Sequence, residues 1–180
     1  MNRKNNVLVI GGSGFIGKHL AFALANRGYQ VTVPCRRPHR NRELLVDPDI
    51  RVLQAEVSDP AQLKTLCAEQ QVVINLIGIL HEKRKGDFRR MHVEFVKHLI
   101  ETCKQAGVQR LLHVSALGAN EASGSSLYLR SKGEGENLLH TLGQRGMRVT
   151  SFQPSVVFGK GDQFINQFAG ILRWCFGYFP

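Results

Sequence analysis

Residues 7–17 read VLVIGGSGFIG, the most informative stretch of the chain. Its four leading apolar residues are typical of a short strand buried on both faces of a parallel sheet. The spacing Gly11-x-x-Gly14-x-x-Gly17 then joins that strand to the start of a helix. Gly11 allows a sharp turn, Gly14 lets backbone approach a pyrophosphate, and Gly17 lets the helix pack closely on the sheet. The free N–H groups of the helix N-terminus would face the phosphates, so the stretch predicts a dinucleotide-binding turn.

Strand and helix patterns alternate along the rest of the chain. Helices are predicted over 14–27, from Pro60 to about 68, from Phe88 to near Gly107 and over 128–145. Strands are predicted over 7–10, 29–34, 50–57, 71–80, 110–116 and 147–154. This β-α-β series predicts the α/β class, with a doubly wound parallel sheet (a Rossmann fold) of six strands.

Composition indicates an ordinary globular chain. It has 180 residues, of which 43% are hydrophobic, and no apolar run approaches the roughly 20 residues that cross a bilayer. The four cysteines form no C-x-x-C pair, which favours a reduced, cytoplasmic protein. HEKRK at 81–85 begins like a zinc-protease motif but lacks the second histidine, so no metal site is expected.

The net charge of +10 favours an anionic partner, and much of the excess lies in 36–42 and 82–90. Nucleic acid is disfavoured, because aromatic residues are only 8% of the chain and fall on apolar faces rather than among the basic residues. A dinucleotide phosphate is the anion that the glycine turn suggests.

Three motifs carry a resemblance to a known family. The glycine turn, the serine of HVSA (Ser115) and Y-x-x-x-K (Tyr128, Lys132) resemble the extended or atypical short-chain dehydrogenase/reductases. VINLIGIL, RLLHVSALGAN, YLRSKGEGE and QPSVVFGKGDQFINQFA are similar to the branch containing the NAD(P)H-binding accessory subunit of respiratory complex I and its bacterial relatives. The resemblance implies a dinucleotide-binding domain over 1–155. It also implies that 156–180 begins a C-terminal substrate or partner region that continues in a longer protein.

The end of the second strand predicts which dinucleotide is bound. NAD enzymes place a carboxylate there for the ribose, whereas VTVPCRRP has no acid and continues into Arg36 and Arg37. Two guanidinium groups suit a 2′-phosphate, so NADP(H) is favoured over NAD(H), although two solvated arginines are the alternative. In the turn itself, Ser13, Phe15 and Ile16 complete the predicted contacts.

The resemblance implies further cofactor contacts at the carboxyl ends of later strands. Glu56 and Val57 would lie at the adenine, and Leu76, Ile77 and Gly78 along the ribose and diphosphate. Backbone at Pro154, Ser155, Val156 and Val157 would meet the nicotinamide amide, although Gln153 stands where family members often have arginine.

Tyr128, Lys132 and Ser115 are the candidate catalytic residues. Tyr128 and Lys132 are four apart on one helix and share a face, so the ammonium would lower the tyrosine pKa toward neutrality. Ser115 would bind a substrate oxygen and Lys132 the nicotinamide ribose. The resulting prediction is an oxidoreductase or a nucleotide-sugar-epimerase-like protein acting on an unidentified small molecule.

Two alternatives remain open from the sequence. The same residues could hold the cofactor in a non-catalytic subunit or assembly factor of a respiratory complex, peripheral to a membrane. A remote alternative is an RNA-binding relative. His92 lies where many relatives have an asparagine that holds a catalytic water, although a satisfied structural histidine is the more common case.

Overall fold

Six parallel strands form one sheet in the computed structural model, which describes residues 6–144, 146–159 and 161–162. The sheet order is β3-β2-β1-β4-β5-β6, so the chain starts in the middle and winds outward in both directions. The predicted doubly wound fold is confirmed. The strands are β1 (Asn6–Ile10), β2 (Gln30–Cys35), β3 (Ile50–Gln54), β4 (Val72–Asn75), β5 (Arg110–Val114) and β6 (Arg148–Phe152).

Helices cover both faces of the sheet. The continuous helix expected from Phe88 to near Gly107 is interrupted by a π-helical turn at Arg90–Glu94. Such turns insert an extra residue and are frequent at functional sites. The α-helices are α1 (Phe15–Ala25), α2 (Pro60–Cys67), α3 (Asp87–Arg89), α4 (Phe95–Gln105) and α5 (Leu127–Gly143). Short 3₁₀ turns occupy Pro38–Arg40 and Arg42–Val46.

Alternate residues of β1 supply the two cores. Val7 and Val9 pack with Ala21 of α1, whereas Leu8 and Ile10 belong to a cluster that contains residues of α2, α4 and α5. This alternation follows from the period of two in a strand and makes β1 apolar on both faces. The cysteines Cys35, Cys67 and Cys103 are buried free thiols.

Several predicted strands are shorter than their apolar runs. The run 71–80 forms a strand only over Val72–Asn75, because the Asn75 side chain turns back and its Oδ1 accepts the Ile77 N–H at 3.1 Å. Residues 76–80 therefore form a loop, not the predicted strand. The strand predicted over 50–57 likewise ends at Gln54, which leaves Glu56 and Val57 in the connection to α2.

Asp59 is the N-cap of α2, and its carboxylate accepts the Ala61 N–H at 2.9 Å. Arg145, at the end of the predicted fourth helix, and 163–180, most of the predicted C-terminal region, lie outside the described residues.

Candidate functional site

The glycine turn leaves the N-terminus of α1 open to an anion. Gly14 is the N-cap, no side chain caps the helix, and its first turn carries no acidic residue. Gly11 has φ +83°, a left-handed conformation that favours glycine. A Cβ on Gly17 would lie 2.4 Å from the Gly11 oxygen and the Gly12 Cα, so this glycine is required for the helix to pack on the turn. The free backbone donors and the positive helix end fit a diphosphate.

An open cleft of about 940 Å³ runs from this turn along the carboxyl ends of β1 to β4. It contains many of the residues predicted to bind the cofactor. These are Gly11, Ser13, Gly14, Arg36, Glu56, Val57, Leu76, Ile77 and Gly78. The loops after the strands therefore converge at one edge of the sheet, as expected for a doubly wound fold.

The remaining predicted residues lie outside the lining of this cleft. Arg37 is exposed beside Arg36, and Phe15, Ile16 and Gly17 form the first turn of α1. Pro154 and Val156 follow β6; the Pro154 carbonyl accepts the Leu117 N–H at 2.9 Å, and Val156 is exposed. The segment after β6 returns to the turn, because a Cβ on Gly159 would lie 3.4 Å from the Phe15 ring.

Lys132 and Ser115 are both buried at the end of β5. The Lys132 ammonium is part of a side chain only 2% exposed and donates to the Val114 carbonyl at 2.6 Å. Burial lowers the pKa of Lys132 to about 8, and the Glu136 carboxylate opposes this shift. Among the described residues, the Ser115 Oγ has no partner at hydrogen-bonding geometry, although it lies close enough to Glu136 to help lower the pKa of that carboxyl. Its hydroxyl oxygen is itself buried.

Tyr128 has the opposite pKa shift from the one expected. Burial raises the pKa of its phenol, whereas the four-residue spacing predicts that Lys132 lowers it. The reason lies in the contacts: the Lys132 ammonium donates to Val114, and the Tyr128 ring packs edge-on against Phe88 and His92, with centroids 5.9 and 5.6 Å away. In this arrangement the Tyr128 phenol holds its proton at neutral pH.

His92 connects Tyr128 to the loop after β4. Its Nε2 accepts the Ile79 N–H at 3.1 Å, so Nδ1 carries the proton and donates to Ser131 Oγ at 2.8 Å. Ser131 in turn donates to the Tyr128 carbonyl at 2.8 Å. Burial, followed by the nearby Lys132 charge, lowers the pKa of His92 to about 4, which keeps the acceptor nitrogen unprotonated.

Helix α5, the π-helical turn and the loop after β4 approach one another closely. A Cβ on Gly135 would lie 2.1 Å from the His92 carbonyl oxygen, so α5 contacts the π-helical turn backbone to backbone. A Cβ on Gly78 would lie 3.8 Å from Lys132 Nζ and 4.0 Å from His92 Nε2. The cleft and the candidate catalytic residues therefore meet at Gly78.

Several residues of this region were missed by sequence reasoning. Phe95 and His98 line the cleft from α4, and the apolar spacing that includes Phe95 indicated only a helix face. His113 is buried behind the site, with Nδ1 accepting from Asn75 Nδ2 at 3.1 Å. Glu136 stands four residues after Lys132, and this regular spacing from Tyr128 is the signal that could have found it.

Comparisons with known proteins show the family of this chain. The family model described as "NAD dependent epimerase/dehydratase family" matches residues 7–173. The mouse protein "NADH dehydrogenase [ubiquinone] 1 alpha subcomplex subunit 9, mitochondrial" is 34% identical over 92% of this chain and 44% of its own length. A ceramide reductase of Caulobacter vibrioides is 29% identical over 87% of this chain and 47% of its own length. The chain thus spans less than half the length of these relatives.

Solved structures support the fold alone, since their sequence identities are low. A UDP-glucuronic acid 4-epimerase from Bacillus cereus in complex with NAD has a TM-score of 0.73 at 20% identity, over 88% of this chain and 59% of that one. The protein Pen from Bacillus thuringiensis has a TM-score of 0.82 at 21% identity, over 96% of this chain and 59% of its own. Within the described part of this chain, no helix is both long and apolar enough to cross a membrane.

Proposed function

This chain belongs to the NAD dependent epimerase/dehydratase family, and on that premise we propose that it binds NADP(H) across the carboxyl edge of the sheet. The single observation that carries the proposal is the continuous cleft between the uncapped α1 N-terminus and the loop after β4. The diphosphate would lie on the glycine turn, the adenine near Glu56 and Val57, and the ribose beside Leu76 to Gly78.

The preference for the 2′-phosphate rests on charge at the end of β2. Arg36 lines the cleft directly after that strand, where an NAD protein would have a carboxylate. Glu43, the first acidic residue after β2, forms an ion pair with Lys18 at 2.5 Å. A guanidinium fork at this position favours a phosphate over a ribose hydroxyl.

We propose reduction of a carbonyl as the reaction. A bound nicotinamide would supply hydride chemistry, and the chain would supply proton transfer and orientation. Tyr128 holds its proton, so it can donate to a carbonyl oxygen, while the Ser115 hydroxyl can donate a hydrogen bond to the same oxygen. Lys132 would hold the ribose close to Gly78. An epimerase-like reaction uses the same groups, and the substrate would be a small molecule.

A second candidate is a cofactor-holding subunit or assembly factor without turnover. The mouse relative named above is a respiratory-complex subunit by its name, which favours a respiratory complex as a partner and attachment at a membrane periphery. In this case Tyr128 and Lys132 would serve as cofactor contacts only. The cytoplasmic location expected from the sequence belongs to this proposal too.

The cofactor assignment is tested by titrating the chain with NADPH and with NADH while following nicotinamide fluorescence. Arg36→Ala should weaken NADPH binding by about ten- to a hundredfold and leave NADH binding nearly unchanged. Arg42→Ala is the matched control, since Arg42 is an exposed arginine of the same segment and does not line the cleft. Equal losses for the two cofactors in Arg36→Ala would contradict the assignment.

Turnover is tested by carbonyl-dependent oxidation of NADPH with a panel of ketones and aldehydes. Tyr128→Phe should remove turnover while leaving NADPH affinity within about threefold, because only the hydroxyl is lost. Binding without turnover in the unaltered protein supports the cofactor-holding role. Turnover that survives in Tyr128→Phe would rule out the assignment of Tyr128.

A further inference from the structure

Helix α5 carries a stripe of titratable side chains that the proposed function uses only in part. Tyr128, Lys132, Glu136 and His140 follow at intervals of four residues, so they lie on one face of the helix. This face contacts β5 and β6: Lys132 bonds the Val114 carbonyl, and His140 Nε2 lies 2.9 Å from Ser151 Oγ. Glu136 lies between Lys132 and His140 and takes no part in the proposed cofactor binding or reaction.

The Glu136 carboxylate is fixed from β6 and its following loop. Ser151 Oγ donates to one oxygen at 2.6 Å, and Gln153 Nε2 donates to the other at 2.9 Å. Burial acts to raise the pKa of Glu136, but these hydrogen bonds outweigh burial and hold the pKa below its usual value. Since Ser151 gives its hydroxyl proton to Glu136, His140 donates to Ser151 through Nε2. Glu136 is therefore an immobilised anion at neutral pH.

Lys132 needs such an anion. Its side chain is 2% exposed, and its bond to the neutral Val114 carbonyl supplies no negative charge. A buried ammonium without a counter-charge is costly and tends to lose its proton. The titratable groups around it are Tyr128, Glu136 and His140 on α5, His113 on β5 and His92 in the π-helical turn.

The two buried histidines cannot be the counter-charge. Burial, followed by the charge of Lys132, lowers the pKa of His92 to about 4 and of His113 to about 3, so both are neutral at working pH. Tyr128 holds its proton as well. Among the described residues, no group of three or more His, Cys, Asp or Glu side chains is placed to hold a metal ion, so the histidines are not explained as ligands either.

We propose that Glu136 is a positioning residue of the site: its carboxylate, fixed by Ser151 and Gln153, is the counter-charge that keeps the buried Lys132 side chain an ammonium ion. The inference deepens the proposed function and rests on it only for the use of Lys132 toward a cofactor. Gln153 thereby gains a role at the position where family members often have arginine.

The charge of Lys132 can be measured directly, without a cofactor. In the protein labelled with ¹³C at the lysine Cε, the Lys132 signal is assigned by its loss in Lys132→Arg and followed against pH. In Glu136→Gln its midpoint should fall by about one pH unit or more, because removing an opposite charge one helical turn from a buried ammonium lowers its pKa by about that amount. Glu134→Gln is the matched control: this glutamate of the same helix pairs with Arg89 at 3.3 Å instead.

The conservative variant separates charge from packing. Glu136→Asp retains the carboxylate, so the Lys132 midpoint should stay close to that of the unaltered protein, and this variant carries the test if Glu136→Gln fails to fold. A Lys132 midpoint that moves equally in Glu136→Gln and Glu134→Gln, or in neither, overturns the proposal. So does a midpoint in Glu136→Asp that falls as far as in Glu136→Gln.

A binding measurement then connects the charge to the proposed function. If Lys132 holds the ribose as an ammonium, Glu136→Gln should weaken NADPH binding severalfold at pH 8 and recover most of it at pH 6, where Lys132 regains its proton. A purely structural role of Glu136 would give a loss that lower pH does not repair, which counts against the proposal. Absence of NADPH binding in every variant contradicts the proposed function and leaves the NMR result to decide on Glu136.

Discussion

The two halves of the site are built by different means. The binding half is the glycine turn at 11–17 with the ends of β2 and β3, and the reactive half is α5 with the π-helical turn and the ends of β5 and β6. The binding half presents backbone donors and an exposed arginine, with no side-chain cap on α1. The reactive half instead buries polar side chains such as Lys132, His92 and Ser115.

The two halves therefore place different energetic requirements on the fold. Backbone N–H groups at a helix end bind an anion without any buried charge, so the binding half has little electrostatic cost. Buried polar groups in the reactive half must find partners or change their protonation state. We therefore expect stability to depend on pH through the reactive half. In the binding half we expect stability and cofactor binding to depend on the volume of the side chains at its glycines.

The largest expected effect is loss of stability in mild acid. The folded-state pKa values of His92 and His113 are lowered to about 4 and about 3, from 6.5 in the unfolded chain. Below pH 6.5 the unfolded state binds these protons and the folded state does not, so stability falls as pH falls toward 4. Both histidines together should cost at most about 5 kcal/mol between about pH 7.5 and about pH 4.5.

Denaturant unfolding measured across that pH range checks this expectation. His92→Gln should remove about half of the pH-dependent loss, because only His113 would remain. His39→Gln alters an exposed histidine and should leave the loss unchanged. If the free energy of unfolding does not change between pH 7.5 and 4.5, the folded protein binds these protons. The hydrogen bonds described for His92 would then be wrong, because a protonated Nε2 cannot accept the Ile79 N–H.

The second effect tests volume in the binding half. In Gly17→Ala the new methyl group would lie 2.4 Å from both the Gly11 oxygen and the Gly12 Cα, which are backbone atoms that cannot rotate away. Overpacking of this kind costs about 3 kcal/mol, which outweighs the roughly 1 kcal/mol gained in helix propensity. Thermal unfolding of the variant should therefore show a clearly lower midpoint.

Gly14→Ala is the control for this substitution. A Cβ there meets only the Gly11 oxygen, at 3.3 Å, so stability should change little. Binding of NADPH should nevertheless fall, because the methyl group lies where the diphosphate is proposed. If Gly14→Ala binds NADPH like the unaltered chain, the diphosphate does not lie on this turn.

The binding half could be predicted from sequence because its determinants are local. The strand, the turn and the helix start occupy 7–17, and the spacing of Gly11, Gly14 and Gly17 can be read within that stretch. The same holds for the six strands as elements, since each is an apolar, alternating or β-rich run between turn signals. Their ends were less predictable: Ile77 to Leu80 are apolar, yet the Asn75 side chain ends the strand by a contact that no periodicity shows.

The reactive half depends on contacts between distant segments. The spacing of Phe88, Met91 and Phe95 fits a continuous helix, and the π-helical turn appears where the His92 carbonyl meets Gly135, 43 positions further along the chain. The prediction that the Tyr128 pKa falls is wrong. The spacing of four residues places Lys132 near Tyr128, but it does not determine which acceptor the Lys132 ammonium bonds.

The smallest predicted effect concerns the link between these segments. Ser131 accepts from His92 Nδ1 and donates to the Tyr128 carbonyl, both at 2.8 Å, and it is 8% exposed. Ser131→Ala leaves the His92 Nδ1–H buried without a partner, which should cost about 1 to 2 kcal/mol of unfolding free energy. The imidazole then loses one of the two hydrogen bonds that fix its tautomer and keeps only the bond from Ile79.

Nitrogen NMR of the histidine side chains distinguishes this effect from a simple loss of packing. In the unaltered chain the ¹⁵N shifts should identify His92 as the Nδ1–H tautomer, since Nε2 accepts from Ile79. Ser131→Ala should add a population with the proton on Nε2 and broaden the Ile79 amide signal, whereas Ser126→Ala, which removes the N-cap of the same helix, should lower stability without changing the tautomer. An Nε2–H tautomer in the unaltered chain would show that His92 does not connect Tyr128 to the loop after β4. The two halves of the site would then meet through the Gly78 approach alone.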